Sequence, residues 1–234
     1  MGLFDAIFKR FRRRPDIFRQ ISHPKLVVPF NFPYTVLKDP SANDMLTAWQ
    51  SAPRGNGVPA VIVWDDAMQC MWAAPASSNA NVDLDAYFKP AIDDLFTNED
   101  GPETLGKPSN RAEPFKIAPL FNDEAVVCLA QIPVSEPWQI LRHIPFGGWN
   151  NCPDAGIAEA FLRELYERYG AVPAIVRSDT LELVAARRLT DTESFELALR
   201  IYAFCPDIVM QITGSIHALA NALRMSDIWQ FWWD

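Results

Sequence analysis

Two short, almost unbroken apolar runs stand out in the hydrophobic pattern of the chain. The first, Val58–Trp64, reads Val-Pro-Ala-Val-Ile-Val-Trp, and the second, Val172–Val176, reads Val-Pro-Ala-Ile-Val. Runs of this length that are rich in branched residues are typical of strands covered on both faces. We therefore predict two buried strands. Their similar sequences indicate either two related α/β halves or a chance match in a chain rich in valine, alanine and proline.

Apolar residues at helical spacing predict several amphipathic helices. The clearest of them follows Asp154, which is a residue type that caps helix amino termini. Another spans residues 79–97, with Phe96 on its apolar side, and Pro90 is expected to kink or split it. The predicted helices are residues 41–50, 79–97, 155–169, a segment that begins after Thr190, and residues 213–224.

Further strands are predicted wherever apolar and polar residues alternate or aromatic residues cluster between turn signals. Residues 25–36 suggest an edge strand or an extended arm, because prolines punctuate them. The other predicted strands are residues 69–73, 115–121, 125–133, 179–185 and 228–233. The fold class that follows is α+β (mixed α/β), with helices packed on mixed sheets.

Composition divides the chain into three parts. Residues 1–22 form a basic amphipathic segment, and a polar stretch at 98–114 suggests a boundary between halves. We predict an amino-terminal α/β domain at 23–110 and a carboxyl-terminal α/β domain at 111–234.

Charge is distributed unevenly. The chain carries a net charge of −8, but residues 1–14 contain five basic residues against one acid, so they carry +4 and the remainder about −12. An acidic body repels phosphates, so we expect no nucleic-acid partner and favour a cationic protein partner. Residues 1–14 suggest weak contact with a membrane surface, a docking helix or a frayed end.

The cysteines and histidines limit the chemistry. Four scattered cysteines without a C-x-x-C pair, and no secretory leader, predict reduced thiols and a cytoplasmic protein. With three histidines and no familiar ligand spacing, neither a metal nor another cofactor is expected. Common phosphate-binding, dinucleotide-binding, metalloprotease and serine-hydrolase motifs are missing from the sequence.

The segment from Phe146 to Asp154, Phe-Gly-Gly-Trp-Asn-Asn-Cys-Pro-Asp, predicts a shaped loop that ends in a helix cap. We call residues 146–154 the central loop. A second Cys-Pro-Asp triplet occurs at 205–207. Two interpretations of these triplets stay open: a thiolate or metal site with His143, or buried cysteines beside helix-capping aspartates, and the second is favoured.

The candidate site residues follow from these two interpretations. For a binding role they are Trp149, Asn150, Asp154 and Gln211. For an enzyme they are Cys152, Cys205, Asp179, Glu182 and Asp207, with Asn150 beside them. Asp179 and Glu182 could act as acid and base or hold a divalent cation, although a solvated turn followed by a strand-face glutamate is the commoner arrangement.

Five blocks occur in order near the carboxyl end: Gly148-Trp-Asn-Asn-Cys-Pro153, Tyr166-Glu-Arg-Tyr-Gly-Ala171, Asp179-Thr-Leu-Glu182, Tyr202-Ala-Phe-Cys-Pro-Asp-Ile-Val209 with Gln211, and Trp229-Gln-Phe-Trp-Trp-Asp234. Together they resemble the bacterial domain-of-unknown-function family 4253 over about residues 135–234. Where that family usually has Gln-Gly, this chain has Gln211-Ile212. The resemblance supports the carboxyl-terminal boundary and implies no activity.

Two functional hypotheses follow. The first is a non-catalytic cytosolic protein-binding module, in its most specific form an immunity protein that neutralises a cationic bacterial toxin. The second is an uncharacterised, hydrolase-like enzyme with a Cys/Asp/Glu site around the central loop.

Overall fold

A computed structural model describes residues 26–72, 82–108, 113–120 and 124–234. The expectations for residues 1–14 and 1–22 therefore lie outside the described residues. The strands are β1 (Tyr34–Leu37), β2 (Val58–Trp64), β3 (Val126–Ile132), β4 (Val172–Val176), β5 (Thr180–Val184) and β6 (Ile228–Trp232). The helices are α1 (Ala42–Ser51), α2 (Asp66–Met71), α3 (Leu84–Thr97), α4 (Gly101–Leu105), a 3-10 helix (Pro137–Arg142), α5 (Ala155–Tyr169), α6 (Asp191–Phe204), a π-helix (Ile208–Thr213) and α7 (Ile216–Met225).

All six strands form one mixed sheet in the order β1-β3-β2-β4-β5-β6. The two apolar runs lie side by side at its centre as the parallel pair β2 and β4, in which Val61 is opposite Ile175. The remaining neighbours are antiparallel. Every residue of β2 is buried, as expected for a strand with both faces covered.

Helix α1 covers the central part of one face of the sheet. Its buried Met45 and Trp49 pack against Val61, Val63 and Ile175. We call this side the α1 face. The opposite face is covered by α3, α5, α6 and α7, whose aromatic core includes Phe88, Phe161 and Phe204 with Phe231 of β6. The α+β fold class with a mixed sheet is therefore confirmed.

An extended segment, residues 113–120, crosses the α1 face beside β5. We call it the strap. Its Ala118 N–H donates to Glu182 at 2.5 Å, and Arg177 donates to the Ala118 carbonyl at 2.6 Å. Arg177 and Glu182 also pair with each other at 3.4 Å. These contacts fix the strap over the half of the α1 face that α1 does not cover.

Local sequence signals set the helix ends. Ser41 with Asp44, and Thr190 with Glu193, form capping boxes at the starts of α1 and α6. Gly170 ends α5 in the left-handed conformation that glycine adopts without strain. The predicted helices at these positions are confirmed.

Two expectations from the sequence are wrong. Residues 69–73 were expected to be a strand, but Asp65 caps helix α2 by accepting from the Met68 N–H at 2.8 Å. Residues 115–121 were also expected to form a strand, but the strap at 113–120 is extended without pairing with any strand. Of the two effects expected of Pro90, the split does not occur, because α3 runs unbroken from Leu84 to Thr97, and the kink stays a prediction.

The two apolar runs have different connections. Strand β2 leads into α2, α3 and α4 before β3, whereas β4 turns directly into its antiparallel neighbour β5. Strands were expected directly after both runs, at 69–73 and at 179–185, and only the second of them is present. The predicted boundary near residue 110 stays a prediction, although strands from both sides of it share one sheet.

No helix in the described residues is long and apolar enough to cross a bilayer.

Replacing Phe161 by alanine should lower the free energy of unfolding by about 3–5 kcal/mol, because its ring is fully buried and contacts three other aromatic rings. Chemical denaturation measures this loss. Phe96→Ala is the matched control, since Phe96 is 58% exposed, and it should change the stability by less than about 0.5 kcal/mol. Equal losses in the two variants would contradict this assignment of the core.

Candidate functional site

The central loop is closed by its own backbone. The Gly148 N–H is shared between the carbonyls of Cys152 and Pro153, and the Cys152 N–H donates to the Trp149 carbonyl at 2.9 Å. Gly147 and Gly148 both have φ near +75°, where a side chain causes strain. The segment is thus a shaped loop closed by its own hydrogen bonds, as its sequence predicts.

Asp154 ends the central loop as a helix cap. One of its carboxylate oxygens accepts from the N–H groups of Gly156 and Ile157 at 2.9 and 3.0 Å. This is the bonding expected of an aspartate at the amino end of α5. Asp154 therefore has a structural role in the free protein.

The central loop and the second triplet both hold the final residue of the chain. Asn150 donates to the Asp234 carbonyl at 2.7 Å, and the Asp234 N–H donates to Asp207 at 3.1 Å. Gln211 donates to the other oxygen of Asp207 at 3.3 Å. Trp149 lies nearby, half-buried, with an indole N–H that has no partner among the described residues.

The thiols of both triplets are buried. Cys205 is fully buried and its Sγ contacts the Trp232 carbonyl at 3.0 Å, and Cys152 is 4% exposed. Burial raises the pKa of both thiols well above the ordinary value. Burial also raises the pKa of Cys128, to about 11. Because the thiolate is the reactive form, these cysteines are poor nucleophiles at neutral pH.

The five residues of the enzyme hypothesis do not all meet. Asp179 lies near Cys152, where its charge further raises the pKa of that thiol, and its carbonyl accepts from the Trp233 N–H. Glu182 is fully buried on the α1 face, where it pairs with Arg177. Burial raises the pKa of Glu182, and Arg177 opposes this shift. His143 lies against the ring of Phe32, 6.2 Å between centroids.

A polar contact that the sequence did not suggest joins the carboxyl ends of β2 and β4. Ser178 donates to Asp65 at 2.8 Å. Burial raises the pKa of Asp65, while the Met68 N–H and Ser178 hydroxyl oppose the shift. The carboxyl ends of neighbouring parallel strands lie at the same edge of a sheet. Pairing the two apolar runs as parallel neighbours would therefore have placed Asp65 beside Ser178. Among the described residues, no histidine, cysteine or carboxylate group is arranged to hold a metal ion.

The acidic residues are concentrated on α3 and α4. Residues 82–108 contain seven acids against two lysines, a net charge of −5. We call this region the acidic hairpin. Phe88 and Leu95 fasten it to the core, and Arg200 of α6 pairs with Asp85 at 2.6 Å. Its charged side faces solvent.

An aromatic side chain projects from the middle of the acidic hairpin. Phe96 is 58% exposed, although its position in the apolar pattern of the sequence predicted a buried residue. Asp93 lies one helical turn before it and is exposed, and Glu99 and Asp100 follow at the end of α3. An exposed phenylalanine surrounded by acids is the feature that sequence reasoning missed.

Two surface clefts occur in the described parts of the chain. One, of about 370 Å³, lies beside Arg54 and Gln131, and the other, of about 350 Å³, lies between α6 and α7 beside His217. No residue of the central loop lines either cleft.

Comparison with family models gives one match. The model described as "Domain of unknown function (DUF4253)" covers residues 128–234. Residues 128–234 are similar to this family, and we call them the DUF4253 domain. This match confirms the resemblance carried by the five sequence blocks. Comparisons with curated proteins and with solved structures found no match.

Some of these features lie inside the DUF4253 domain and others lie outside it. The central loop, both Cys-Pro-Asp triplets, Arg177 and Glu182 lie inside it. The acidic hairpin, helix α1 and the strap lie outside it, towards the amino terminus.

A thiol-specific chromophoric reagent should react rapidly with one cysteine of the native protein, because Cys70 is exposed and the other three are buried. All four should react after unfolding. Cys70→Ser is the control and should abolish the rapid reaction. A second rapidly reacting thiol near neutral pH would favour the enzyme hypothesis.

Gly147→Ala and Gly148→Ala form a matched pair in the central loop. Both place a side chain at φ near +75°, which costs about 1–2 kcal/mol. A Cβ at Gly147 would also lie 2.0 Å from the Pro153 carbonyl oxygen, whereas nothing lies within 4 Å at Gly148. Gly147→Ala should therefore be less stable than Gly148→Ala by a further 1–3 kcal/mol or so in chemical denaturation. Equal stabilities would show that the loop is not closed as described.

Proposed function

We propose that this chain is a non-catalytic protein-binding module that receives a cationic partner on the acidic hairpin. The observation that carries the proposal is the exposed ring of Phe96, 58% accessible, on the acidic hairpin, whose residues carry a net charge of −5. Large aromatic side chains surrounded by polar groups are the residues that dominate binding energy at protein interfaces.

Charge and apolar contact have separate roles in this interaction. The acids accelerate the encounter with a basic protein, and this effect weakens as salt screens the charges. The ring of Phe96 supplies apolar area that a partner can cover after docking. The hairpin keeps its shape in the free protein, because Phe88 and Leu95 are buried and Asp85 pairs with Arg200.

The specific form of the proposal is an immunity protein in the bacterial cytoplasm that captures a basic toxin. The acidic body of the chain supports this form, because inhibitors of basic enzymes use complementary charge to bind quickly. Buried thiols with raised pKa values support a non-catalytic role over the enzyme hypothesis.

The test is co-purification with the product of an adjacent gene, followed by measurement of the dissociation constant at two salt concentrations. Phe96→Ala should weaken binding about tenfold or more, since it removes an interface aromatic at little cost in stability. Glu99→Lys with Glu103→Lys changes the hairpin charge from −5 to −1 and should lower the association rate and its salt dependence.

Glu167→Lys is the control for charge reversal. Glu167 is exposed on α5 and makes only a surface ion pair with Arg163, so its loss should leave folding intact. Binding that is unaffected by the hairpin variants, or equally affected by Glu167→Lys, would remove the hairpin from the proposal. Absence of a partner even at low salt would remove the proposed function.

A further inference from the structure

Arg177 and Glu182 grip the backbone of a single residue of the strap. Glu182 accepts from the Ala118 N–H at 2.5 Å, while Arg177 donates to the Ala118 carbonyl at 2.6 Å. We call the two side chains the clamp. They offer one acceptor and one donor to an extended chain, which is what a neighbouring β-strand offers through its backbone.

The clamp and its occupant belong to different parts of the chain. Arg177 and Glu182 lie within the DUF4253 domain at 128–234, and the strap at 113–120 precedes that domain. Ser226, also within the domain, donates to the Phe115 carbonyl of the strap at 2.9 Å. The domain therefore presents three side chains that bind backbone supplied from outside it.

A further polar group that the strap leaves unused lies beside the clamp. Gln230 is directly opposite Glu182 in the pairing of β5 with β6, so the two side chains are neighbours on the α1 face. Gln230 is 4% exposed, and its Oε1 has no hydrogen-bond partner among the described residues. A buried acceptor without a partner destabilises the protein unless a bound group supplies a donor. The site is built to bind more than the strap provides.

The strap lies in the clamp as an extended ligand lies in a groove. Phe115, Ile117 and Ala118 are buried, whereas Lys116 and Pro119 are exposed. It is held by side chains and makes no strand pairing of its own. Backbone hydrogen bonds combined with buried side chains at selected positions are the means by which proteins bind extended peptides.

We propose that the clamp is a peptide-binding site of the DUF4253 domain, occupied here by the strap and able to accept an extended segment of a partner protein with the same pattern: apolar, exposed, apolar, small. This site lies on the α1 face and does not depend on the function proposed for the acidic hairpin. The strap competes with the partner segment for the clamp. The apparent affinity for a partner is lowered by the fraction of molecules in which the strap is bound.

The experiment uses the full chain and a fluorescent peptide with the strap sequence, Glu-Pro-Phe-Lys-Ile-Ala-Pro-Leu. Fluorescence anisotropy measures its dissociation constant. Ile117→Asp in the protein weakens the strap, so this variant should bind the peptide at least tenfold more tightly than the native protein does. Ile117→Ala should give an intermediate affinity.

Two modified peptides test the clamp without altering the protein. N-methylation at the Ala118 position removes the N–H that Glu182 accepts, and it should weaken binding to the Ile117→Asp variant at least tenfold. A Lys116→Ala peptide is the matched control and should bind as the native peptide does, because Lys116 is exposed.

Circular dichroism first establishes that the variants are folded. Equal peptide binding by the native protein and both folded variants would overturn the proposal. So would equal binding of the native and N-methylated peptides. If Ile117→Asp does not fold, the native and N-methylated peptides are compared on Ile117→Ala. Equal binding of the two peptides, or equal binding of the native peptide by Ile117→Ala and the native protein, would again overturn the proposal.

Discussion

The parallel pairing of β2 with β4 is the interaction on which the rest of the fold depends. It joins strands that are more than one hundred residues apart in sequence, and among the strands that the structure describes it is the only parallel pair. Both strands lie at the centre, so both of their faces must be covered. Helix α1 covers one face and the helices α3, α5, α6 and α7 cover the other. The same pairing brings Asp65 to Ser178 at the carboxyl ends of the strands.

Burial explains why conspicuous residues of the carboxyl-terminal half do not form an open reactive site. Cys152 and Cys205 resemble candidate nucleophiles in sequence, but their environments favour the neutral thiol. The neighbouring Asn150 and Asp207 hold the backbone of Asp234. Residues that are well suited to catalysis are equally suited to fixing backbone, and the hydrogen bonds of Asn150 and Asp207 are of the second kind.

Periodicity in the sequence was sufficient for the elements that bury one continuous apolar side. It identified the central strands, the helices α1 and α6, and the aromatic strand β6. It failed at α2, because a six-residue helix held by the Asp65 cap has too few residues to show a period. It also failed at Phe96, which is exposed. A residue in an apolar pattern is buried only where another element packs against it, and the pattern does not show whether one does.

Contacts between distant segments were beyond prediction from one sequence. Nothing in the spacing of Arg177 and Glu182 indicates that both bind the backbone of Ala118, about sixty residues earlier. A carboxylate on a strand face is usually exposed to solvent, and this one is buried because the strap covers it. The strap itself has the apolar content of a strand, which is why it was predicted to be one.

The family match and the structural unit have different limits. Residues 128–234 supply five of the seven residues of β3, together with β4, β5 and β6. Strand β2 lies between β3 and β4 in the sheet and comes from residues 58–64. Without β2, the strands of the DUF4253 domain would be divided into two groups with no hydrogen bonds between them. The strap adds a second dependence, because it is the partner of the buried Glu182. The amino-terminal part of this chain therefore completes the sheet and the clamp of the domain that follows it.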